Sequence, residues 1–162
     1  MTRSYSLTTP FRWAVPALLL LFATGTSYAQ TVLTLTGEVT KPLTLQATDL
    51  SSMPHTEVTA TDRDGKEHRY AGVPLVELLK RAGATLGAEL RGQNLMKYVV
   101  VRAIDGYEVV FALPELDPDY TTRTILLVDQ TDGAPLPAGT GPYRIVVPGE
   151  KKPARWVRGV KA

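Results

Sequence analysis

The chain contains no cysteine among its 162 residues. This absence excludes a disulfide, a thiol nucleophile, an iron–sulfur cluster and a cysteine-ligated zinc site. Histidine is scarce, since His55 and His68 are the two in the chain, and their surroundings in the sequence predict no metal site. The serines lack a nucleophile-elbow pattern, and no glycine run resembles a phosphate-binding loop. The residue types alone therefore name no catalytic residue.

Long apolar runs are also absent, and the one candidate lies near the start. Residues 1–29 predict a secretory signal peptide, with Arg3 and Arg12 before an apolar run and small residues leading to Ala29. The apolar run of about ten residues is too short for a membrane anchor, which needs about 20. We therefore expect cleavage after Ala29, a periplasmic or secreted location, and one domain over residues 30–162 without a membrane span.

The charge shows no strong excess of one sign. The chain has 18 Lys and Arg against 16 Asp and Glu, and two of the basic residues belong to the predicted leader. This balance predicts no nucleic-acid partner. The distribution is uneven, however, with an acidic middle around residues 105–119 and a basic tail over 151–161.

Strand signals outnumber helix signals. Alternating and β-branched segments predict strands at 32–39, 57–61, 66–70, 96–103, 107–111, 124–128, 143–147 and 155–160. Asp64-Gly65 and Asp105-Gly106 predict hairpin turns, and the continuously apolar segment 124–128 predicts a central strand. The sequence therefore predicts an α+β fold, a strand-rich mixed β domain with few short helices.

One helix is clearly predicted, over residues 74–83. Proline suits its first turn and glycine its exit. Leu75, Leu78, Leu79 and Ala82 fall at i, i+3, i+4 and i+7, which gives one buried stripe.

A few residues are candidates for a binding site. His55 follows a proline in a loop, whereas His68 lies in a polar strand and is predicted to be a solvated hairpin residue. Arg144 and Arg155 lie in or beside strands, where a guanidinium needs an anion or solvent. They could form a pocket for a phosphate-bearing ligand, or lie on a solvated strand face with Trp156 in the core.

The order of several motifs resembles the molybdopterin-binding domain of the sulfite oxidase family. The resemblance covers nearly all of the chain after residue 30. The motifs are Leu35-Thr36-Gly37-Glu38-Val39, Gly72-Val73-Pro74-Leu75, Asp105-Gly106-Tyr107, Asp132-Gly133-Ala134-Pro135-Leu136-Pro137, Gly141-Pro142-Tyr143-Arg144-Ile145-Val146-Val147-Pro148-Gly149 and Arg155-Trp156-Val157.

This resemblance implies a mostly β fold and, in full-length members, an oxo-molybdenum centre on a pterin cofactor. By resemblance, Arg144 and Arg155 occupy positions of cofactor-contacting basic residues, and Tyr107 lies near a substrate-pocket tyrosine. We add His55 to these candidate cofactor-binding residues. Molybdopterin is thus a possible cofactor by resemblance.

The chain departs from the family at important positions. Family enzymes bind molybdenum through a cysteine after the strand that here reads Val58-Thr59-Ala60-Thr61, and a threonine hydroxyl cannot replace a soft thiolate. The histidine often found before the Arg144 motif is replaced by Gly139. The leader also lacks adjacent arginines, so it resembles the general secretory type, which carries unfolded chains without cofactor.

Three hypotheses follow for the function. The first is an exported protein that keeps the fold without molybdenum redox catalysis and binds a small anionic ligand or an envelope protein partner. The second is a molybdopterin-dependent oxidoreductase, or its subunit, with an atypical non-cysteine metal site. The third is a structural module of a larger envelope complex.

Overall fold

Short antiparallel strands dominate the computed structural model, which describes residues 32–162 of the chain. The predicted signal peptide lies outside the described residues. The helices are α1 (Ala47–Ser51) and α2 (Leu75–Ala82). The strands are β1 (Leu33–Leu35), β2 (Leu43–Leu45), β3 (Thr56–Thr61), β4 (Glu67–Pro74), β5 (Tyr98–Arg102), β6 (Glu108–Ala112), β7 (Leu126–Thr131), β8 (Ala134–Pro135) and β9 (Arg144–Val146). The predicted strand-rich α+β class is confirmed.

The strand β7 lies at the centre of the largest sheet. It pairs antiparallel with β4, β8 and β9, and β3 extends the sheet beyond β4. Leu126, Leu127 and Val128 are buried, which explains their continuously apolar sequence. Gly72 on β4 lies so close to β7 that a Cβ atom there would stand 2.2 Å from the Leu127 carbonyl oxygen, so this position requires glycine.

The helix α2 follows β4 without a loop and packs its apolar stripe into the core. Pro74 precedes its first residue, and Gly83 ends it in the left-handed conformation with φ +69°. Its four buried residues are Leu75, Leu78, Leu79 and Ala82, so the predicted stripe is confirmed.

Two hairpins lie outside the largest sheet. The strands β1 and β2 form one pair, and β5 and β6 form the other around the predicted Asp105-Gly106 turn. The last residues of the chain connect the two pairs. The Thr34 N–H donates to the Lys161 carbonyl at 3.0 Å, and the Lys161 N–H donates to the Arg102 carbonyl at 2.9 Å.

Two of the predicted strands differ from the structure. The first ends at Leu35 rather than continuing to residue 39, because Gly37 takes φ +114°, which an extended strand does not allow. The last is replaced by a 3₁₀ turn at Pro153–Arg155 followed by isolated bridges at Arg158 and Val160. No helix within residues 32–162 is long and apolar enough to cross a membrane.

Candidate functional site

Arg144 begins β9 and is buried in the core with 4% of its surface exposed. Its Nη1 and Nη2 atoms donate to the two carboxylate oxygens of Asp62 at 2.7 and 2.8 Å. Asp62 is the residue that directly follows β3. A two-pronged pair of this kind is the strongest arrangement that arginine forms with a carboxylate.

Two aromatic rings enclose this ion pair. The Arg144 guanidinium lies 5.6 Å from the ring centre of Tyr70 and 5.1 Å from that of Trp156. The Tyr70 hydroxyl donates to Asp62 at 2.8 Å, and the indole N–H of Trp156 donates to the Val147 carbonyl. We call Arg144, Asp62, Tyr70 and Trp156 the Arg144 cluster.

The ion pair of the Arg144 cluster shifts the pKa values of the groups around it. Hydrogen bonds from Arg144 hold the pKa of Asp62 far below its usual range. Burial, together with the hydrogen bond to Asp62, raises the pKa of Tyr70 above its usual value. Both groups therefore keep one protonation state across the neutral range. Trp156 lies in the core, as one of the two alternatives predicted. The solvated strand face that the same alternative predicted for Arg144 is not observed, because Arg144 is buried.

Arg155 ends the 3₁₀ turn at Pro153–Arg155 and is also paired with carboxylates. Its guanidinium donates to both oxygens of Glu115 at 3.0 and 3.1 Å, and its Nε donates to Glu150 at 2.8 Å. It also lies 4.6 Å from the ring centre of Phe111. The Tyr107 hydroxyl donates to the Ala154 carbonyl at 2.9 Å, so the structure brings Tyr107 and this turn together.

His55 lies at a different place, beside β7. Its Nδ1 contacts the Met53 carbonyl at 2.8 Å, and its Nε2 contacts Asp129 at 3.0 Å. Asp129 is the residue left without a partner on β4 where the pairing shifts between Ala71 and Gly72. Because both contacts are to oxygen acceptors, the imidazolium form can donate to each, and the hydrogen bond to Asp129 raises the pKa of His55.

The four predicted site residues therefore do not converge on one pocket. Tyr107 contacts the turn that carries Arg155, Arg144 belongs to its own cluster, and His55 pairs with Asp129. His68 contacts Asp132 and Asp64 at 2.7 and 3.0 Å on its exposed hairpin. The acidic partners were not predictable from the sequence, because Asp62 and Arg144 are 82 residues apart and no local spacing joins them.

The residues present do not fit a molybdenum pterin cofactor. A phosphate-bearing ligand needs free cationic donors, but Arg144 and Arg155 both donate to carboxylates. The chain offers no thiolate, and residues 32–162 contain no cluster of three or more histidine, aspartate or glutamate residues that could hold a metal ion.

An open cleft lies away from the Arg144 cluster, between β1 and β5. Its volume is about 740 Å³, and neither Arg144 nor Arg155 lines it. Its two walls are the β1 edge at Thr34 and the β5 edge at Tyr98 and Val100, and α2 contributes Leu75, Leu78 and Leu79 to its floor. We call this cleft the β1–β5 slot. The size lies within the range of natural ligand sites.

Comparison with known proteins places the chain in a class. The family model described as the oxidoreductase molybdopterin binding domain matches residues 25–162. The chain therefore belongs to the oxidoreductase molybdopterin-binding domain family, and the predicted resemblance to the sulfite oxidase family is confirmed.

A solved structure shows the same fold. The sulfane dehydrogenase SoxCD from Paracoccus pantotrophus matches with a TM-score of 0.63 and 24% sequence identity, over 80% of this chain and 36% of that one. This chain therefore spans little more than a third of the length of that relative. No curated protein matches the chain.

Proposed function

We propose that this protein is an exported member of the molybdopterin-binding domain family that performs no molybdenum redox catalysis and serves as a binding module for a partner protein. The observation that carries the proposal is the closed ion pair between Arg144 and Asp62. It occupies the guanidinium that, by resemblance to the family, would contact a cofactor.

The energetic cost of opening this pair supports the proposal. Removing one partner from a buried ion pair costs about 3–5 kcal/mol, because the other charge is left without compensation. An anionic cofactor would have to displace Asp62 from Arg144 and leave that carboxylate, which is 15% exposed, beside Tyr70 without its counter-charge. The same argument applies with less force to Arg155, whose side chain is 29% exposed.

The chemistry of the metal position points the same way. By resemblance, the family places its molybdenum-binding cysteine after the strand that is β3 here. The residue directly after β3 is Asp62, whose hard oxygen atoms already accept hydrogen bonds from Arg144 and Tyr70. A carboxylate engaged in this way does not replace a soft thiolate as a ligand for the metal.

A protein partner is favoured over a small anionic ligand. Both candidate arginines donate to carboxylates through their terminal nitrogen atoms, and the buried Nε of Arg144 is the one donor of that side chain without a partner. Exposed apolar side chains, by contrast, are concentrated in one stretch of the chain, which includes the β5–β6 hairpin. Six of the eight large apolar or aromatic side chains that are exposed within residues 32–162 lie between residues 95 and 110. Contiguous exposed apolar surface marks interaction sites.

Analysis of metal and pterin in the native protein tests this proposal. The protein is purified from the envelope of its own cells, molybdenum is measured by mass spectrometry, and pterin is measured as its fluorescent oxidation product. We expect both to be far below one per chain. N-terminal sequencing of the same sample tests export and should begin at Gln30.

Alanine variants of Arg144 and Arg155 test the alternative, an atypical oxidoreductase. If wild-type protein carried equimolar molybdenum and pterin, and Arg144→Ala or Arg155→Ala removed both, the atypical oxidoreductase would be established and our proposal overturned. Arg158→Ala is the matched control, because Arg158 is an exposed arginine of the same segment.

A further inference from the structure

We infer that the β1–β5 slot binds an extended peptide segment of a partner protein, which inserts as a strand between β1 and β5. This inference rests on the proposed partner-binding function and specifies its site. The evidence is the hydrogen-bonding pattern of the β5 edge and the position of the last residues of the chain between β5 and β1.

The first observation is the direction of the backbone groups of β5. Both the N–H and the carbonyl of Arg102 bond to residues 161 and 162, on the side away from β6. Backbone groups alternate in direction along a strand, and Lys97 and Ala103 bond on the side of β6. The groups of Val100 and Tyr98 therefore point into the slot. Within residues 32–162, no strand pairs with this edge over Tyr98–Val100.

The second observation is that the backbone of the last residues already bridges both walls at one end of the slot. Lys161 bonds to Arg102 on β5 through its N–H and to Thr34 on β1 through its carbonyl. The slot is thus one strand wide at this end, about 9.6 Å between the two edges if each spacing is that of neighbouring strands. The last residues run antiparallel to β5, since Val160 bridges to Ala103. The backbone direction from Val160 to Ala162 therefore points towards Val100.

The other end is closed by polar groups. The Lys97 ammonium lies 3.2 Å from Glu38 and donates to the Thr85 hydroxyl at 2.9 Å. Between this contact and Arg102 the slot spans about five residues of β5, or about 16 Å. An occupant therefore has about four residues in extended conformation.

The chemistry of the walls selects a peptide over an alkyl chain. The floor is apolar, but an alkyl occupant would cover the N–H and carbonyl groups of Val100 and Tyr98 without pairing them. Each buried group left without a partner costs about 1–3 kcal/mol. A peptide strand pairs these groups and places alternate side chains on the floor, which is the mode of recognition by strand addition.

Exposed apolar side chains lie on the surface next to the slot. Met96, two residues before β5, is 77% exposed, Tyr98 on β5 is 64% exposed, and Val110 on the neighbouring strand is 53% exposed. An exposed apolar edge of this kind invites pairing with another chain. A partner that inserts a strand also covers this surface.

A tethered segment tests the inference directly. The full chain is extended after Ala162 by Thr-Val-Thr-Val, and the matched control is extended by four prolines, which have no N–H donors. Tethering supplies an effective concentration in the millimolar range for short linkers. We expect the first extension to slow hydrogen exchange of the Val100 and Tyr98 amides at least tenfold, and the proline extension to leave both unchanged.

A point variant tests the same edge from the protein side. Tyr98→Pro removes one donor that points into the slot, and the backbone of Lys97 already has φ −67° and ψ 146°, which a following proline requires. Tyr98→Thr removes the ring and keeps the donor. We expect the threonine variant, but not the proline variant, to retain protection of Val100 in the extended chain.

Three results would overturn the inference. The first is that both extensions give equal hydrogen-exchange rates at Val100 and Tyr98. The second is that only amides outside the slot become protected. The third is that dodecanoate displaces the tethered Thr-Val-Thr-Val segment without changing hydrogen exchange of the Val100 and Tyr98 amides. If Tyr98→Pro does not fold, the comparison of the two extensions decides alone. None of these results depends on molybdenum or pterin content, so failure here is distinct from failure of the proposed function.

Discussion

The Arg144 cluster and the β1–β5 slot are opposite in character. In the cluster, the charged groups of Arg144 and Asp62 are paired and covered by two aromatic rings. In the slot, apolar side chains form the floor, and the Tyr98–Val100 stretch of β5 presents an edge that pairs with no strand within residues 32–162. The position where the family resemblance implies a cofactor is thus closed by the protein itself, and the open cleft of the molecule lies elsewhere.

The largest expected effect concerns the closed region. Asp62→Asn leaves the Arg144 guanidinium buried without its counter-charge and should lower the free energy of unfolding by about 3–5 kcal/mol. Urea unfolding measures the change. Glu77→Gln, which removes an exposed carboxylate paired with Lys80, should cost less than about 1 kcal/mol. Equal effects of the two substitutions would show that the cluster is not closed.

A smaller effect is expected from acid. The pKa of Asp62 is depressed in the folded protein, whereas the unfolded value is 3.8, so the folded state loses the ion pair's contribution as pH falls below that value. Unfolding free energies measured between pH 7 and pH 3 should decline more steeply for wild type than for Asp62→Asn. Parallel curves would contradict the assigned pairing.

His55 should produce a pH dependence of the opposite sign. Its pKa is raised above 6.5 by the hydrogen bond to Asp129, so its contribution is complete below pH 6.5 and is lost as pH rises through the folded pKa. NMR titration of the His55 ring should give a midpoint above 6.5 in wild type. In Asp129→Asn the midpoint should fall, and an unchanged midpoint would rule out the pair.

The smallest effect on stability is expected at the rim of the open region. Met96→Lys places a charge on a residue that is 77% exposed and should change the free energy of unfolding by less than about 0.5 kcal/mol. The same substitution should weaken protection of Val100 in the chain extended by Thr-Val-Thr-Val. A large loss of stability would show instead that Met96 packs in the fold and that the rim is not an open surface.

The parts of the fold that the sequence predicted are those with local signals. The helix α2 has its proline, its glycine and its apolar stripe within ten residues, and Asp64-Gly65 and Asp105-Gly106 mark their hairpins directly. Local failures also have local causes, since the positive φ of Gly37 ends β1 early although the flanking residues continue the strand pattern.

The candidate site was only partly predictable. Arg144 and Arg155 were predictable as notable residues because a guanidinium beside a strand needs a partner, and both have carboxylate partners. The partners could not be identified, because Asp62 is brought to Arg144 by the pairing of β3 with β4, of β4 with β7 and of β7 with β9 rather than by chain spacing. The β1–β5 slot depends on where the tail crosses two hairpins, which no local pattern encodes.

Trp156 makes the Arg144 cluster observable by tryptophan fluorescence. Trp13 and Trp156 are the two tryptophans of the chain, and Trp13 lies in the predicted leader, so cleavage after Ala29 would leave a single indole. That indole is buried with the Arg144 guanidinium 5.1 Å from its ring centre. Indole emission responds to nearby charge and to water. The processed protein would therefore carry an intrinsic fluorophore at its ion pair, and any event that separates Arg144 from Asp62 would change its fluorescence without an added label.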